Sequence, residues 1–285
     1  MIIIIIIIIL LLLIHKSKTS LFGQMNKGTN SSILKGTVAL ITLMYKPKNV
    51  ETWLKIHRDL GISHFYIRLE NTPELIKYLQ SQPDVTLMVA DASNDKNQYS
   101  SLQDRQNTTV NKVLKMCKNT FLIHIDSDEI LEGNLDEIRN LPDSVGTFWM
   151  QNYEAVYKDI PTSENNCFEA QHFKNCGDSD SGCVSYVNGK GGARISAKNV
   201  HCAGPHRFVS DLEDIKVTMI VKHFESCDFD QYIKKYTRLS KDVNLESIPF
   251  PYYRESIMAN GDNSILKSIY TKYRVYLPSP TSITT

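Results

Sequence analysis

Two carboxylates one residue apart, Asp126 and Asp128, stand where the apolar run Phe121-Leu122-Ile123-His124-Ile125 gives out, and Glu129 follows them. A nearly continuous apolar run bounded by polar residues predicts a strand buried on both faces, as in a parallel sheet, and ligands of open α/β sheets gather at the carboxyl ends of such strands. Hard divalent cations such as Mg²⁺ or Mn²⁺ take oxygen ligands. Mg²⁺ usually keeps only one or two protein carboxylates and draws further oxygens from substrate phosphates. The pair therefore points to a metal that holds a diphosphate.

The elements that must position this pair are legible upstream. Residues 37–45 (TVALITLMY) are β-branched and apolar and end at Lys46-Pro47, which predicts a first buried strand. Val50, Trp53, Leu54 and Leu60 then recur at helical spacing, with Gly61 as the stop. Residues 64–69 predict a second strand, 73–80 a short helix opened by a proline, 85–90 a third strand, and about 101–118 a longer helix that leads into the strand carrying the aspartates. Such alternation implies right-handed crossovers and a mainly parallel sheet flanked by helices. The pattern changes after Leu141-Pro142. A strand at 145–150 is followed by an irregular stretch, 159–192, too long for a plain connector. Short strands are expected near 193–195, 207–209 and 217–221, then a helix over 229–239. The fold class is α/β, with a nucleotide-binding first half and a smaller, mixed acceptor-side half. Residues 278–285 are expected to be disordered.

The 285 residues carry a formal charge of +1, with 42% hydrophobic and 22% charged residues. That balance gives no basic footprint for nucleic acid, so any anion site must be local. Residues 1–14 form an uncharged apolar segment ending at His15-Lys16-Ser17-Lys18. As a helix it would reach only about 21 Å against a hydrocarbon core of roughly 30 Å. It lacks the features of a secretory signal. Two readings stand beside each other: membrane attachment through residues 1–14, with Lys16 and Lys18 leaving the following domain on the cytoplasmic side, or a soluble cytoplasmic protein with a low-complexity tail. Residues 15–35 read as a linker. The six cysteines show no C-x-x-C pair, and free thiols are preferred over a disulfide staple among Cys167, Cys176 and Cys183. The sequons at Asn30 and Asn107 do not decide the compartment.

Taken in order, the segment 37–45, Trp53-Leu54-x-x-His57, Leu60-Gly61-Ile62-x-His64-Phe65-Tyr66-Ile67, Ile125-Asp126-Ser127-Asp128-Glu129, Gly189-Lys190 with Arg194, and Lys222-His223-Phe224 before Tyr232-x-x-Lys235 resemble the GT-A (Rossmann-like) glycosyltransferases, with the family 2-like and family 92 group nearest. The likeness covers about residues 36–240 and leaves 241–285 as a C-terminal extension. It departs after the first strand, where such proteins commonly carry Asn-Glu and this chain has Lys46-Pro47-Lys48-Asn49. It departs again after the second, with Glu70-Asn71 in place of Asp-Asn.

The resemblance implies a nucleotide-sugar donor, a UDP-sugar first, and a Mn²⁺ or Mg²⁺ ion bridging its phosphates to Asp128 and, directly or through water, to Asp126. It implies a histidine as a further metal ligand: His206 first, on the Gly204-Pro205 turn, and His223 second. Donor contacts fall on Tyr45, Glu70, Asn71, Arg105 and Asp126, with Lys190 and Arg194 closing over the diphosphate around Gly191-Gly192. The acceptor would be a glycan, protein or lipid hydroxyl. Inverting transfer needs a general base, for which Glu154 is the first candidate and Glu169 and Asp211 follow. Trp149, Tyr153 and Tyr157 are candidates for stacking on an acceptor sugar. Two rival readings are a haloacid dehalogenase-type phosphatase with Asp126 as nucleophile, and a non-catalytic sugar- or partner-binding module of the same fold. The first expects its Asp-x-Asp on the first strand, and here three strand-helix units precede it. The second is supported only by the altered segment after the first strand.

Overall fold

The computed structural model describes residues 34–90, 98–162, 164, 166–183, 185–242 and 250–275. The apolar segment 1–14, nearly all of the linker and residues 278–285 lie outside the described residues. No helix among the described residues is long and apolar enough to cross a membrane.

Strand β1 (Leu34–Tyr45) runs through the middle of the molecule and is buried on both faces. Val38, Leu40 and Met44 point into one core, and Ala39 and Ile41 into another. Helix α1 (Val50–Leu60) follows, with Val50, Trp53, Leu54 and His57 as its buried stripe. It stops at Gly61, as the sequence predicts. There φ of 104° needs a residue without a Cβ, and the Gly61 and Ile62 amides return to the carbonyls of Arg58 and His57. Strand β2 (His64–Glu70), the short helix α2 (Ile76–Gln80), strand β3 (Val85–Ala90), helix α3 (Gln98–Leu114) and strand β4 (Asn119–His124) complete the first half. Its four strands lie in the order β3-β2-β1-β4, all parallel, so their carboxyl ends share one edge.

The second half corrects the expectation of a mainly parallel sheet. Strand β5 (Glu129–Glu132) is followed by helix α4 (Asp136–Arg139), then by the long β6 (Val145–Val156), β7 (His172–Asn175) and β8 (Asn188–Arg194). Next come β9 (His201–Gly204), β10 (Arg207–Val209) and β11 (Glu213–His223). The large sheet runs β3-β2-β1-β4-β8-β6-β11-β5, with β7 beside β6, and β9 and β10 pair separately. Strand β8 is antiparallel to both β4 and β6, and β5 is antiparallel to β11, so the sheet is mixed. At Gly192 a Cβ would sit 2.3 Å from Phe148 Cζ and 3.0 Å from the Leu122 carbonyl. This glycine thus serves the seating of β8 between two strands, and not the approach of a diphosphate.

Helix α5 (Phe229–Asp242) is joined by two helices that the sequence reading left in an extension, α6 (Pro251–Met258) and α7 (Asn263–Arg274). Tyr232, Tyr236, Tyr252 and Tyr270 are buried among them and belong to the larger core. A buried tyrosine needs a partner for its hydroxyl, and each has one. Tyr232 meets Ser256, Tyr236 donates to Glu225, Tyr252 to the Ser226 hydroxyl and Tyr270 to the Ser226 carbonyl. Four of the six cysteines are paired, Cys167 with Cys227 and Cys176 with Cys183, which corrects the free-thiol reading. Cys117 and Cys202 are buried thiols.

Candidate functional site

The carboxyl ends of β1 and β4 open onto a cleft of two lobes. One, of about 390 Å³, lies toward α3 and includes Leu43, Gln106, Asp126, Asn152, Tyr186 and His206 in its walls. The other, of about 440 Å³, lies toward α5, with Lys46, Lys48, Phe168, Phe224 and Arg238 in its walls. Tyr45, Ser127, Asp128, Glu225 and Lys235 line both. The loop carrying the aspartates is braced from behind by α1. Trp53 Nε1 donates to the Glu129 carbonyl at 2.8 Å, and His57 Nε2 accepts from the Leu131 amide at 3.2 Å. His57 must then carry its proton on Nδ1, which donates to the Trp53 carbonyl.

Asp128 is the open carboxylate. Its side chain is 40% exposed, and its Oδ2 lies 3.7 Å from His223 Nε2. The other ring nitrogen, Nδ1, meets Glu154 Oε1 at 2.8 Å. A carboxylate behind a histidine fixes ring orientation and tautomer, an arrangement common behind metal-binding imidazoles. Glu154 is itself held. Asn152 donates to Oε1 at 3.0 Å, and Arg274 Nη1 makes a close charged hydrogen bond to Oε2. Arg274 Nη2 also donates to Glu225 Oε2 at 2.7 Å, and its guanidinium lies over the Tyr252 ring.

Burial works against charge on both Glu154 and His223. Even so, His223 and Arg274 hold Glu154 well below the usual carboxylate range, and Glu154 and Asp128 hold His223 well above the usual imidazole range. The positive charge between Asp128 and Glu154 is that of His223 itself, and a metal ion takes Nε2 only by displacing its proton. An open carboxylate oxygen and an imidazole nitrogen suit Mn²⁺ better than Mg²⁺. Among the described residues no three His, Cys, Asp or Glu side chains gather into a metal-holding group. A cation on Asp128 and His223 would therefore draw its other ligands from substrate and water.

Asp126 is a different case. Gln106 Nε2 donates to its Oδ1 at 2.7 Å and the Lys190 ammonium to its Oδ2 at 2.5 Å, so both oxygens are engaged. Lys190 is fully buried and also lies 3.6 Å from Glu129 Oε2. Burial opposes ionisation of Asp126, yet Lys190 holds its carboxyl far below the ordinary range. Burial pushes Glu129 up to about 8, against the pull of Lys190. An ammonium sits where the resemblance expects a metal contact.

The remaining residues divide by place. His206 lines the α3-side lobe with Asp126 and His223. Its Nδ1 donates to the Gly189 carbonyl at 2.6 Å, its ring packs on Tyr186, and burial lowers it to about 4. It is His223 that faces Asp128. Glu70 is fully buried, and its Oε1 accepts from Arg68 at 2.7 Å and from Arg105 at 2.9 Å. Its placement holds Arg105 at the edge and does not expose Glu70 itself to a ligand. Asn71 follows with φ of 46°. Tyr45 is exposed at the cleft.

Arg194 lies elsewhere. Its guanidinium binds the carbonyls of Leu141, Pro142 and Val145 and covers Phe121, at the far end of β4. None of the three carboxylates expected as general base is poised for it. Glu154 is locked behind His223. Glu169 is exposed and lines neither lobe, and Asp211 is an exposed loop residue paired with Lys198 and Asn199. Trp149 packs under Lys216, and Tyr157 lies in the core. Gln106, Glu225 and Arg274 were not anticipated as site residues from sequence, and Lys235 was read only as part of the resemblance.

No family model and no curated protein matches this chain. Solved structures are similar at low level. A mannosyltransferase from Pyrobaculum calidifontis in complex with GDP-Man and Mn²⁺ is 10% identical, with 92% of this chain and 81% of that one covered and a TM-score of 0.35. HddC from Yersinia pseudotuberculosis complexed with GMP-PN is 9% identical over 67% of this chain and 98% of its own, at 0.34. Rv0371c from Mycobacterium tuberculosis H37Rv in complex with manganese is 8% identical over 42% of this chain and 66% of its own, at 0.29. This chain spans about two thirds of that last protein's length. Likeness at these scores assigns no activity to this chain.

Proposed function

We propose that this chain is a metal-dependent glycosyltransferase, moving a sugar from a nucleotide-diphosphate-sugar to an acceptor hydroxyl, with Mn²⁺ held by Asp128 and His223. The observation that carries this reading is the open Asp128 carboxylate facing His223 Nε2 at 3.7 Å, with Glu154 fixing the ring from behind. Bound there, the cation would offset the charge that builds on a departing nucleoside diphosphate.

The chain's own groups prepare that event. Glu154 and Arg274 set the imidazole, Lys190 and Gln106 fix Asp126 beside it, and Glu70 presents Arg105, whose fork of donors suits a ribose or phosphate. UDP is the first choice of nucleotide and GDP the second. Of the described carboxylates lining the cleft, Asp126, Glu129, Glu225 and Asp228 each lie beside a lysine, and only Asp128 is open. The inverting course expected from the resemblance therefore has no base assigned to it. The two disulfides favour maturation in an oxidising compartment over the cytoplasmic side expected from residues 1–18.

The test is a thermal-shift and hydrolysis panel of UDP, GDP and dTDP and their sugars, with and without Mn²⁺. Stabilisation that needs nucleotide and Mn²⁺ together, and that vanishes in Asp128→Ala, is expected. Sugar release should follow for one donor, with the product anomer read by NMR. Nucleotide binding that ignores Mn²⁺ and survives Asp128→Ala would overturn the reading. Binding without release or transfer over long incubation would instead mark a non-catalytic module.

A further inference from the structure

We propose that the α5-side lobe of the cleft receives an acceptor sugar carrying an anionic substituent, a carboxylate, sulfate or phosphate, held by Lys46, Lys234 and Arg238. This inference rests on the transferase reading, since it names the acceptor class of that same site.

The charges in this lobe do not cancel one another. Its acids are accounted for: Asp228 pairs with Lys48, Glu225 is shared by Lys235 and Arg274, and Asp128 faces His223. Lys46, Lys234 and Arg238 line the same lobe, and among the described residues none of them has an ion-pair partner. All three are exposed to solvent, so they remain available to a ligand. Lys234 and Arg238 lie four residues apart on α5 and so share a face of that helix. Lys46 approaches from the other wall, at the end of β1, in the segment where the sequence departs from its resemblance by placing lysines. A chain with a formal charge of only +1 has gathered, in one concavity, three cations without an ion-pair partner among the described residues.

The lobe's size and walls favour a sugar over a bare anion. About 440 Å³ lies within the usual range for ligand pockets, and Phe168 and Phe224 add an aromatic wall, their rings edge to face at 5.3 Å. The α3-side lobe, walled by Gln106, Tyr186 and His206, leaves a donor its own place across the cleft. Asp128 lines both lobes. A sugar seated on the α5 side would therefore stand next to the carboxylate proposed to hold the donor's phosphates, with its charged substituent toward the cationic rim.

Matched probes test this on the full chain: methyl β-glucoside against methyl β-glucuronide and the 6-sulfate and 6-phosphate of methyl β-glucoside. Binding is read by NMR titration in the presence of UDP and Mn²⁺. At least tenfold tighter binding of the charged probes is expected, falling as NaCl is raised. In K234E/R238E the preference for charge should drop at least tenfold, and circular dichroism and melting would confirm that the variant folds. Equal binding of charged and neutral probes, or binding of none, overturns the proposal. So does a loss of UDP affinity in K234E/R238E as large as the loss of probe affinity, because the cations would then serve the donor's phosphates. Failure of the transferase reading shows differently, as wild-type protein that binds no nucleoside diphosphate with Mn²⁺. The charged and neutral probes would still be compared on that protein without nucleotide.

Discussion

Asp126 and Asp128 are separated by one serine and live in opposite surroundings. Asp126 is closed: an amide and a buried ammonium occupy both its oxygens, and Glu129 crowds the same lysine. Asp128 is open toward solvent, and the order lies behind it, in the line His223, Glu154, Arg274 and Glu225. A buried charge that loses its counter-charge is strongly destabilising, whereas an exposed one is worth little to the fold. The Asp126 side of the motif should therefore govern stability and the Asp128 side chemistry.

The largest effect should come from the tier behind Asp128. Arg274→Met strips Glu154 and Glu225 of their shared guanidinium, and a loss of about 3–5 kcal/mol in urea unfolding is expected. Adding Glu154→Gln and Glu225→Gln to that variant should restore part of it, because neutral side chains no longer need the cation. No recovery would mean that the network acts through packing alone.

Next comes the crossed pair. Asp126→Asn leaves Lys190 with only the more distant Glu129 and should cost about 3 kcal/mol. Asp128→Asn should change stability by less than about 0.5 kcal/mol while lowering donor turnover by about 10²–10³-fold and abolishing Mn²⁺ binding. Equal stability losses in the two variants would erase the distinction between them.

A third test probes the brace beneath both aspartates. Burial lowers His57 from 6.5 to about 4, so its folded form stays neutral where the unfolded chain already binds a proton. The stability it supports is present above pH 6.5 and is lost as pH falls toward 4, by about 2–3 kcal/mol. Chemical unfolding across that window should show this slope, flattened in His57→Gln. The smallest effect is expected on the α3 side. Arg105→Lys keeps the charge and loses the fork, weakening nucleotide binding about tenfold, or about 1.4 kcal/mol.

The parallel half of the fold was legible because each of its parts is local. An apolar run followed by a periodic helix declares itself within a dozen residues, and the run ending at Asp126 did so most clearly. Strand β8 did not. Its sequence, NGKGGAR, has no β-branched residue, and it becomes a strand only through neighbours on both sides, with Phe148 filling the space above Gly192. Lys190 in such a stretch reads as a turn lysine, and only the register that sets it opposite Met150 turns it inward to Asp126. The pairing of Cys167 with Cys227 spans a sequence separation of 60 and leaves no local trace. Arg274 could have been approached from sequence, since Leu266, Ile269, Tyr270 and Tyr273 carry the spacing of a helix with one buried face. What no spacing reveals is that its guanidinium reaches Glu154, 120 positions earlier.

That reach also orders events during synthesis. The loop that carries Asp128 and the strand that carries Glu154 leave the ribosome long before α7 does, and a domain made from its N-terminal end would hold Glu154 against His223 alone, without its guanidinium, until α7 docks. Chains cut or stalled ahead of residue 274 should keep much of the parallel sheet and still lack a set imidazole, so competence arrives in one late step.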